Sequence, residues 1–347
     1  MTSTVPVSVA VCGLGEWGPN LLRNLLQNEN CHVTALCDRD KARAAEYAKA
    51  HNIKSVYESV DDVALDPYVD AVILATPAGV HEEQVKMLLD EGKDILVEKP
   101  LALTLDGARD LVRLAREKDR ILMPGHTFLF NSAVRRVKHE LAAGTLGKLN
   151  LILAQRMSLG RVREDCNALW NLAPHDISIL LYWLDMMPVS VTARGTAFHE
   201  GYKQEDIALC ILEFPGPLVA SVQVSWMNPV KVRQMTLVGS QRMLIYDDIS
   251  RDRPLTLYDQ RIEEVARVRR EGTLEEFELR AKRGAETPIF VEQKEPLAEE
   301  VAHFLSCVQS REQPIGGGEQ ALRIMSVLEA CQQSLRSGGH SIVPEAV

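Results

Sequence analysis

The sequence has no long apolar run, no Cys-x-x-Cys pair, no internal repeat and no surplus of positive charge. Each absence removes a class of protein. No stretch approaches the ~20 consecutive apolar residues that a membrane-spanning helix requires. The seven cysteines, at 12, 31, 37, 166, 210, 307 and 331, are odd in number and nowhere paired by motif. They read as reduced, mostly buried thiols, with no disulfide framework and no zinc or other metal site. With 39 Lys and Arg against 48 Asp and Glu, the net charge is -9. A chain of this balance is a poor candidate for binding nucleic acid or an anionic membrane, although a local basic pocket for a small anionic ligand stays open. The opening "MTSTVPVSVAVCG" has neither a basic n-region nor a long apolar segment, so the expectation is a cytoplasmic chain without a signal peptide.

What is present is a soluble-type composition, 46% hydrophobic and 25% charged, over 347 residues. That length exceeds one ordinary core and suits two domains. Up to about residue 124, short β-branched runs alternate with amphipathic helices: "VSVAVCG" at 7–13, "HVTALCD" at 32–38, "DAVILATP" at 70–77, "DILVEKPLAL" at 94–103 and "RILMPGH". This alternation predicts an α/β fold with a doubly wound parallel sheet. Beyond 125 the pattern changes. Strands follow one another without helices from 189 to about 290, which predicts a large, mostly antiparallel open sheet. The charged stretch "EEFELRAKRGAE" reads as an exposed excursion, and two helices close the chain. The expected domains are therefore 1–124 and 125–347.

The stretch "VAVCGLGEWGPNLLRNLL" holds G-x-G-x-x-G at Gly13, Gly15 and Gly18. The motif follows a strand, opens a helix, and has Asp38 at the end of the next strand, as dinucleotide binding requires. The glycines permit a tight turn and close backbone approach, and the helix N-terminus faces a diphosphate. Asp38 suits the adenine ribose hydroxyls and repels a 2'-phosphate, which favours NAD over NADP; Arg39 beside it weakens that preference.

Glu98 and Lys99 of "VEKP" end a buried strand, where such sheets line their ligand crevice. Lys99 reads either as a donor to a substrate oxygen or as a surface lysine paired with its neighbour. In "LWNLAPHDISILLYWL", His175 and Asp176 are expected to begin an apolar helix, as a cap or as an imidazole aimed into the cleft. Beside a glycine loop and a strand-end lysine, catalysis is favoured: hydride transfer from a carbinol needs a base for the hydroxyl proton, and histidine suits neutral pH.

"GLGEWGPN", "LATPAGVHEEQV", "VEKPLAL", "GHTFLFNSAVRRVKHELAAGTLGKL", "NALWNLAPHDISILLYWL" and "EPLAEEVAHFL" together resemble, in order and over essentially the whole chain, the Gfo/Idh/MocA family of NAD(P)-dependent oxidoreductases. The fine pattern is similar to the branch that contains UDP-N-acetylglucosaminuronate 3-dehydrogenases. The resemblance implies a Rossmann domain followed by an α/β domain with a large open sheet, Lys99 and His175 as catalytic residues, and an Asp four residues before the histidine. Here that position is Asn171, which cannot accept a proton, so Asn171 and Asp176 are expected at most to assist. The expected cofactor set is Gly13, Gly15, Glu16, Trp17, Gly18, Asp38, Arg39, Thr76, Pro77, His81 and Glu98. The expected substrate set is Lys99, Asn131, Arg156, Arg161, Arg163, Asn167, Trp170 and His175, the arginines suiting carboxylate or diphosphate. The expected activity is oxidation of a ring hydroxyl on a sugar, nucleotide-linked or uronic, at C3. The alternatives are an inositol or free-sugar dehydrogenase, a ketoreductase, or a non-catalytic dinucleotide sensor. A homodimer or homotetramer is expected.

Overall fold

Val7–Cys12 (β1) is a run of small and β-branched residues buried almost throughout. A strand covered by helices on both faces must be apolar on both sides, and this one is. The computed structural model describes residues 5–160, 162, 166–198, 204–266 and 277–347. After β1 come α1 (Gly18–Leu26), β2 (Cys31–Cys37), α2 (Lys41–His51), β3 (Ser55–Tyr57), α3 (Val60–Ala64), β4 (Ala71–Leu74), α4 (His81–Asp90), β5 (Asp94–Val97), α5 (Leu105–Glu117) and β6 (Leu122–Pro124). Then follow α6 (Ser132–Ala142), β7 (Leu149–Leu159), α7 (Ala168–Leu184), β8 (Ser190–Thr196), β9 (Ile207–Glu213), β10 (Val219–Ser225), β11 (Met227–Gly239), β12 (Met243–Asp247), β13 (Leu255–Ala266), β14 (Phe277–Pro288), α8 (Pro296–Ser310) and α9 (Gly318–Arg336). Packing divides these residues into two units. One runs through Asn131 and includes Lys294–Ser326 and Val347; the other is Ser132–Gln293 with Val327–Ala346.

The first unit is a six-stranded parallel sheet in the order β3-β2-β1-β4-β5-β6. The order reverses between β1 and β4, and ligands of such sheets bind at that switch point, outside the carboxyl ends of the strands. The runs at 70–77 and 94–103 shorten to β4 and β5, because each meets a proline (Pro77, Pro100) that has no N–H for the ladder. α8 returns to this unit with Leu297, Val301, Phe304 and Leu305 buried, and Ala321, Leu322 and Met325 of α9 join its core.

The second unit is an eight-stranded sheet, β14-β13-β12-β11-β7-β10-β9-β8, antiparallel at every pairing but β7 with β10. Its register puts Ala193, Cys210, Val222, Ala154, Met235, Tyr246 and Leu255 in one row, all buried. One step along, the opposite face carries Ile211, Ser221 and Leu153 in a row, with Ile211 and Leu153 exposed. The charged excursion is corrected in part: Phe277–Pro288 is a strand at the sheet edge, paired along β13. Its Arg280, Lys282 and Arg283 are exposed, and charge on an outer strand discourages further edge pairing. Among the described residues, no helix is long and apolar enough to cross a membrane.

Candidate active site

The glycine turn between β1 and α1 uses its three glycines differently. Gly13 has φ +91, and a Cβ there would lie 2.6 Å from the Ala75 carbonyl oxygen. At Gly18 a Cβ would run into the Gly13 carbonyl, so this glycine lets helix and strand pack closely. Around Gly15 a Cβ would meet nothing within 4 Å, leaving an open backbone face. α1 starts at the Trp17 cap with no side chain capping its first N–H groups and no acidic residue in its first turn. Free helix N-terminal donors favour an anion. The Asp38 carboxylate turns to the loop, its Oδ2 accepting from Leu14 N at 2.7 Å and its Oδ1 from Asp40 N at 2.8 Å. Arg43 lies 3.7 Å from Oδ1, and Arg39 is exposed. An open glycine, an uncapped helix start and a carboxylate fixed at the end of β2 fit a dinucleotide. Trp17, 54% exposed, and Glu16 flank the same turn.

β5 ends at Val97, and the ladder runs one residue further through Glu98 N to Leu74 O, 2.9 Å. Lys99 follows, joined to Pro100 by a cis bond. His81, 1% exposed at the start of α4, places Nδ1 at 2.8 Å from Pro100 O and Nε2 at 2.8 Å from Thr76 O. It ties the lysine turn to the end of β4, so its ring serves the protein's own backbone. Thr76 Oγ1 donates to Gln84 Oε1 at 2.7 Å, and Pro77 precedes a short 3-10 turn. Burial pushes the Glu98 carboxyl up, opposed by the Lys99 charge.

Two further groups lie in this unit, and the sequence reading assigned neither a role. His126 is buried, and burial with the charge of Lys99 lowers its pKa to about 4. Glu300 of α8 is buried and accepts from Thr127 Oγ1 at 2.8 Å; burial pushes its carboxyl up to about 8. "GHTFLF" and "EPLAEEVAHFL" marked their segments, but only folding brings Glu300 to Thr127, the residue after His126. Asn131 closes the 3-10 turn Thr127–Phe130, its N–H donating to Phe128 O at 3.1 Å.

In the second unit α7 carries His175. The helix begins earlier than the sequence implied, at Ala168, with Asn167 Oδ1 accepting from Trp170 N at 3.0 Å. His175 and Asp176 therefore lie mid-helix, after Pro174, and Asp176 is not a cap. The buried Ala168, Leu169 and Ala173 extend the apolar stripe upstream of the proline, and this packing outweighs it. His175 and Asn171 are four residues apart, hence on one helix face, and both are half-buried. Asp176, about 100° round, is buried and grips Arg156 of β7 through two hydrogen bonds of 2.8 and 3.0 Å. This corrects Arg156 as a substrate ligand: its Nε and Nη2 are engaged by Asp176, with 5% and 3% of the two side chains exposed. Asn167 donates to Glu205 at 2.7 Å and Gln332 at 2.8 Å, and Trp170 Nε1 donates to the same Gln332 oxygen at 3.1 Å. These two residues tie the helix start to its own unit. Arg161 and Arg163 lie outside the described residues.

Fold and glycine turn define a dinucleotide-binding α/β protein. Two family profiles match it: "Oxidoreductase family, NAD-binding Rossmann fold" over residues 7–126 and "GFO/IDH/MocA C-terminal domain" over 134–245. The chain belongs to the Gfo/Idh/MocA family of oxidoreductases, and its first unit is an NAD-binding Rossmann fold. It is 28% identical over 233 residues to a scyllo-inositol 2-dehydrogenase (NAD+) of Bacillus subtilis, covering 64% of this chain and 68% of that one. It is 31% identical over 215 residues to a trans-1,2-dihydrobenzene-1,2-diol dehydrogenase of Bos taurus, covering 59% and 63%. The matched part spans about half to two thirds of the length of such curated relatives. Among solved structures, a UDP-N-acetylglucosamine 3-dehydrogenase from Acidithiobacillus ferrooxidans shares the fold, with TM-score 0.79, 21% identity and 96% and 99% of the two chains covered.

Proposed function

We propose that the protein is an NAD-dependent dehydrogenase acting on CH–OH groups, moving a hydride between the nicotinamide and a ring carbinol or ketone of a sugar. One observation carries this reading: the open glycine turn and Lys99 stand at the carboxyl ends of β1 and β5, on either side of β4. Two strand spacings separate β1 from β5, about 10 Å, a span that a bound dinucleotide bridges. In functional terms residues 1–124, with the Lys294–Ser326 segment that packs with them, serve the cofactor, and the rest of 125–347 the substrate and assembly.

When bound, the nicotinamide accepts or returns the hydride. Gly13, Gly15 and Gly18 receive the diphosphate, Asp38 the adenine ribose hydroxyls. Fixed by Leu14 N–H, the Asp38 carboxylate disfavours a 2'-phosphate, which supports NAD over NADP despite Arg39 and Arg43 nearby. Glu16, Trp17, Thr76, Pro77 and Glu98 line the approach, and His81 serves it by holding the Lys99 turn. Lys99 donates to the substrate oxygen, lowering the cost of charge that develops there. His175 takes the hydroxyl proton in oxidation and returns it in reduction. Asn171, on the same helix face, offers an uncharged hydrogen-bond partner, while Asp176 acts only by anchoring α7 through Arg156.

The substrate class proposed first is a nucleotide-linked sugar or uronate oxidised at C3, with Arg161 and Arg163 toward its anionic groups and Asn131 at its ring. A neutral cyclic polyol is the second reading. It is favoured by the loss of Arg156 to an internal ion pair and by the kinship with a scyllo-inositol dehydrogenase. A thermal-shift panel with NAD separates them: stabilisation by UDP-sugars supports the first, and stabilisation by inositols alone rejects it. The exposed row with Leu153 and Ile211 supports a homodimer or homotetramer; a monomeric mass in light scattering would reject it.

A further inference from the structure

β12 pairs with β13 only from Leu255 to Tyr258. Beyond Tyr258, β13 and β14 pair with each other alone among the described residues. From Tyr258 to Ala266 this two-stranded arm runs about 27 Å. A ribbon of two strands is marginal in water and needs one face covered.

The two faces of the arm differ. Arg261 stands opposite Lys282, and Glu263 opposite Arg280. On this face Arg261 is paired with Glu263, Lys282 lies 3.7 Å from Glu263, and Arg280 lies 3.0 Å from Glu278. Its charges satisfy one another, so this face suits water. The other face carries Ile262 opposite Ala281, with Ile262 60% and Leu279 68% exposed. β13 alternates from Thr256 to Ile262 without an extra residue, because the bulge beyond Tyr258 falls in β14. Thr256 stands in the row of Ile245, Thr236 and Leu153. The apolar face of the arm therefore continues the open face of the sheet. Charge marks its two ends. Glu264 lies opposite Leu279 and Arg283 opposite Gln260, each two residues from the Ile262–Ala281 pair. Both are exposed, and neither enters an ion pair among the described residues. An apolar centre with a carboxylate at one end and a guanidinium at the other is self-complementary about a two-fold axis.

We propose that the β13–β14 arm is an interaction surface for a second copy of this chain. The two arms lie antiparallel, apolar face on apolar face. Glu264 then shares one end with the partner subunit's Arg283, and Arg283 shares the other with the partner subunit's Glu264. Arms running the same way would set two carboxylates together at one end and two guanidiniums at the other. The proposal rests on the homo-oligomer reading and adds a second contact to the row with Leu153 and Ile211.

The test measures mass by light scattering and the dissociation constant by sedimentation for the whole chain. It compares the parent with the double variant Ile262→Asp, Leu279→Asp, with Glu264→Arg, with Arg283→Glu, with both reversals together, and with Arg280→Gln on the polar face. The aspartate pair weakens association about tenfold or more. Each single reversal sets like charges together and weakens it about fivefold or more, while the double reversal returns to within about twofold of the parent. Arg280→Gln keeps the parent constant. If the aspartate pair does not fold, the reversals at exposed positions decide. A double reversal no tighter than the single ones overturns the proposal. Arm variants that all keep the parent constant also overturn it, and Leu153→Asp then tells whether the open sheet face alone holds the oligomer. A parent that stays monomeric overturns both this proposal and the homo-oligomer reading.

Discussion

At Gly15 the backbone is open, whereas at Gly18 it touches the Gly13 carbonyl, and this difference separates binding from folding within one motif. Gly15→Val is expected to stay within ~0.5 kcal/mol of parent stability yet weaken NAD binding about tenfold or more, as titrated by calorimetry. Gly18→Val is expected to cost more than ~1 kcal/mol in thermal unfolding. The glycine spacing and Asp38 were readable from the sequence because both belong to one local strand-turn-helix unit. Glu300 was not: a glutamate in a charged helix start looks like surface, and only the packing of α8 against the 3-10 turn Thr127–Phe130 buries it. Arg156 erred the other way. Arginines clustered ahead of a candidate helix suggest an anion site, but strand alternation turned this one inward.

At the scale of elements, α7 shows how tertiary packing moves a boundary. Pro174 invites a start after it, while the apolar stripe and the Asn167 cap carry the helix seven residues further upstream. The Arg156–Asp176 pair then fixes α7 to β7 and leaves His175 on another face. Arg156→Met is expected to strand a buried carboxylate and cost about 3–5 kcal/mol, read from chemical denaturation. The double variant Arg156→Met, Asp176→Leu is expected to recover most of that loss. A single variant as stable as the parent would show that the pair does not hold the helix. β14 has the same lesson in a strand: high charge suggested an excursion, but a sheet edge accommodates charge on an outer strand.

For the molecule as a whole, alternation of strand and helix, then of strand and strand, made both sheets legible. The return of Lys294–Ser326 to the first unit was not, since nothing local in "EPLAEEVAHFL" says which sheet it covers. That return couples stability to pH through two buried groups. His126, lowered to about 4 from 6.5, contributes stability above 6.5 that is lost as pH falls toward 4. Glu300, raised from 4.5 to about 8, contributes stability below 4.5 that is lost as pH rises to about 8. Between 4.5 and 6.5 the two slopes oppose each other. From 6.5 to about 8 Glu300 acts alone, and its contribution falls by ~2 kcal/mol. Denaturation midpoints of the parent are expected to show the plateau and then the decline, while those of Glu300→Gln rise up to about pH 6.5 and then level off. The account as a whole turns on hydride transfer beside Lys99. Its most direct measurement is the absorbance of reduced NAD formed by the parent, Lys99→Met and His175→Ala over the sugar and polyol panel. A parent that reduces NAD with one substrate, and variants slower by about 100-fold or more, are predicted. Variants as fast as the parent would contradict it.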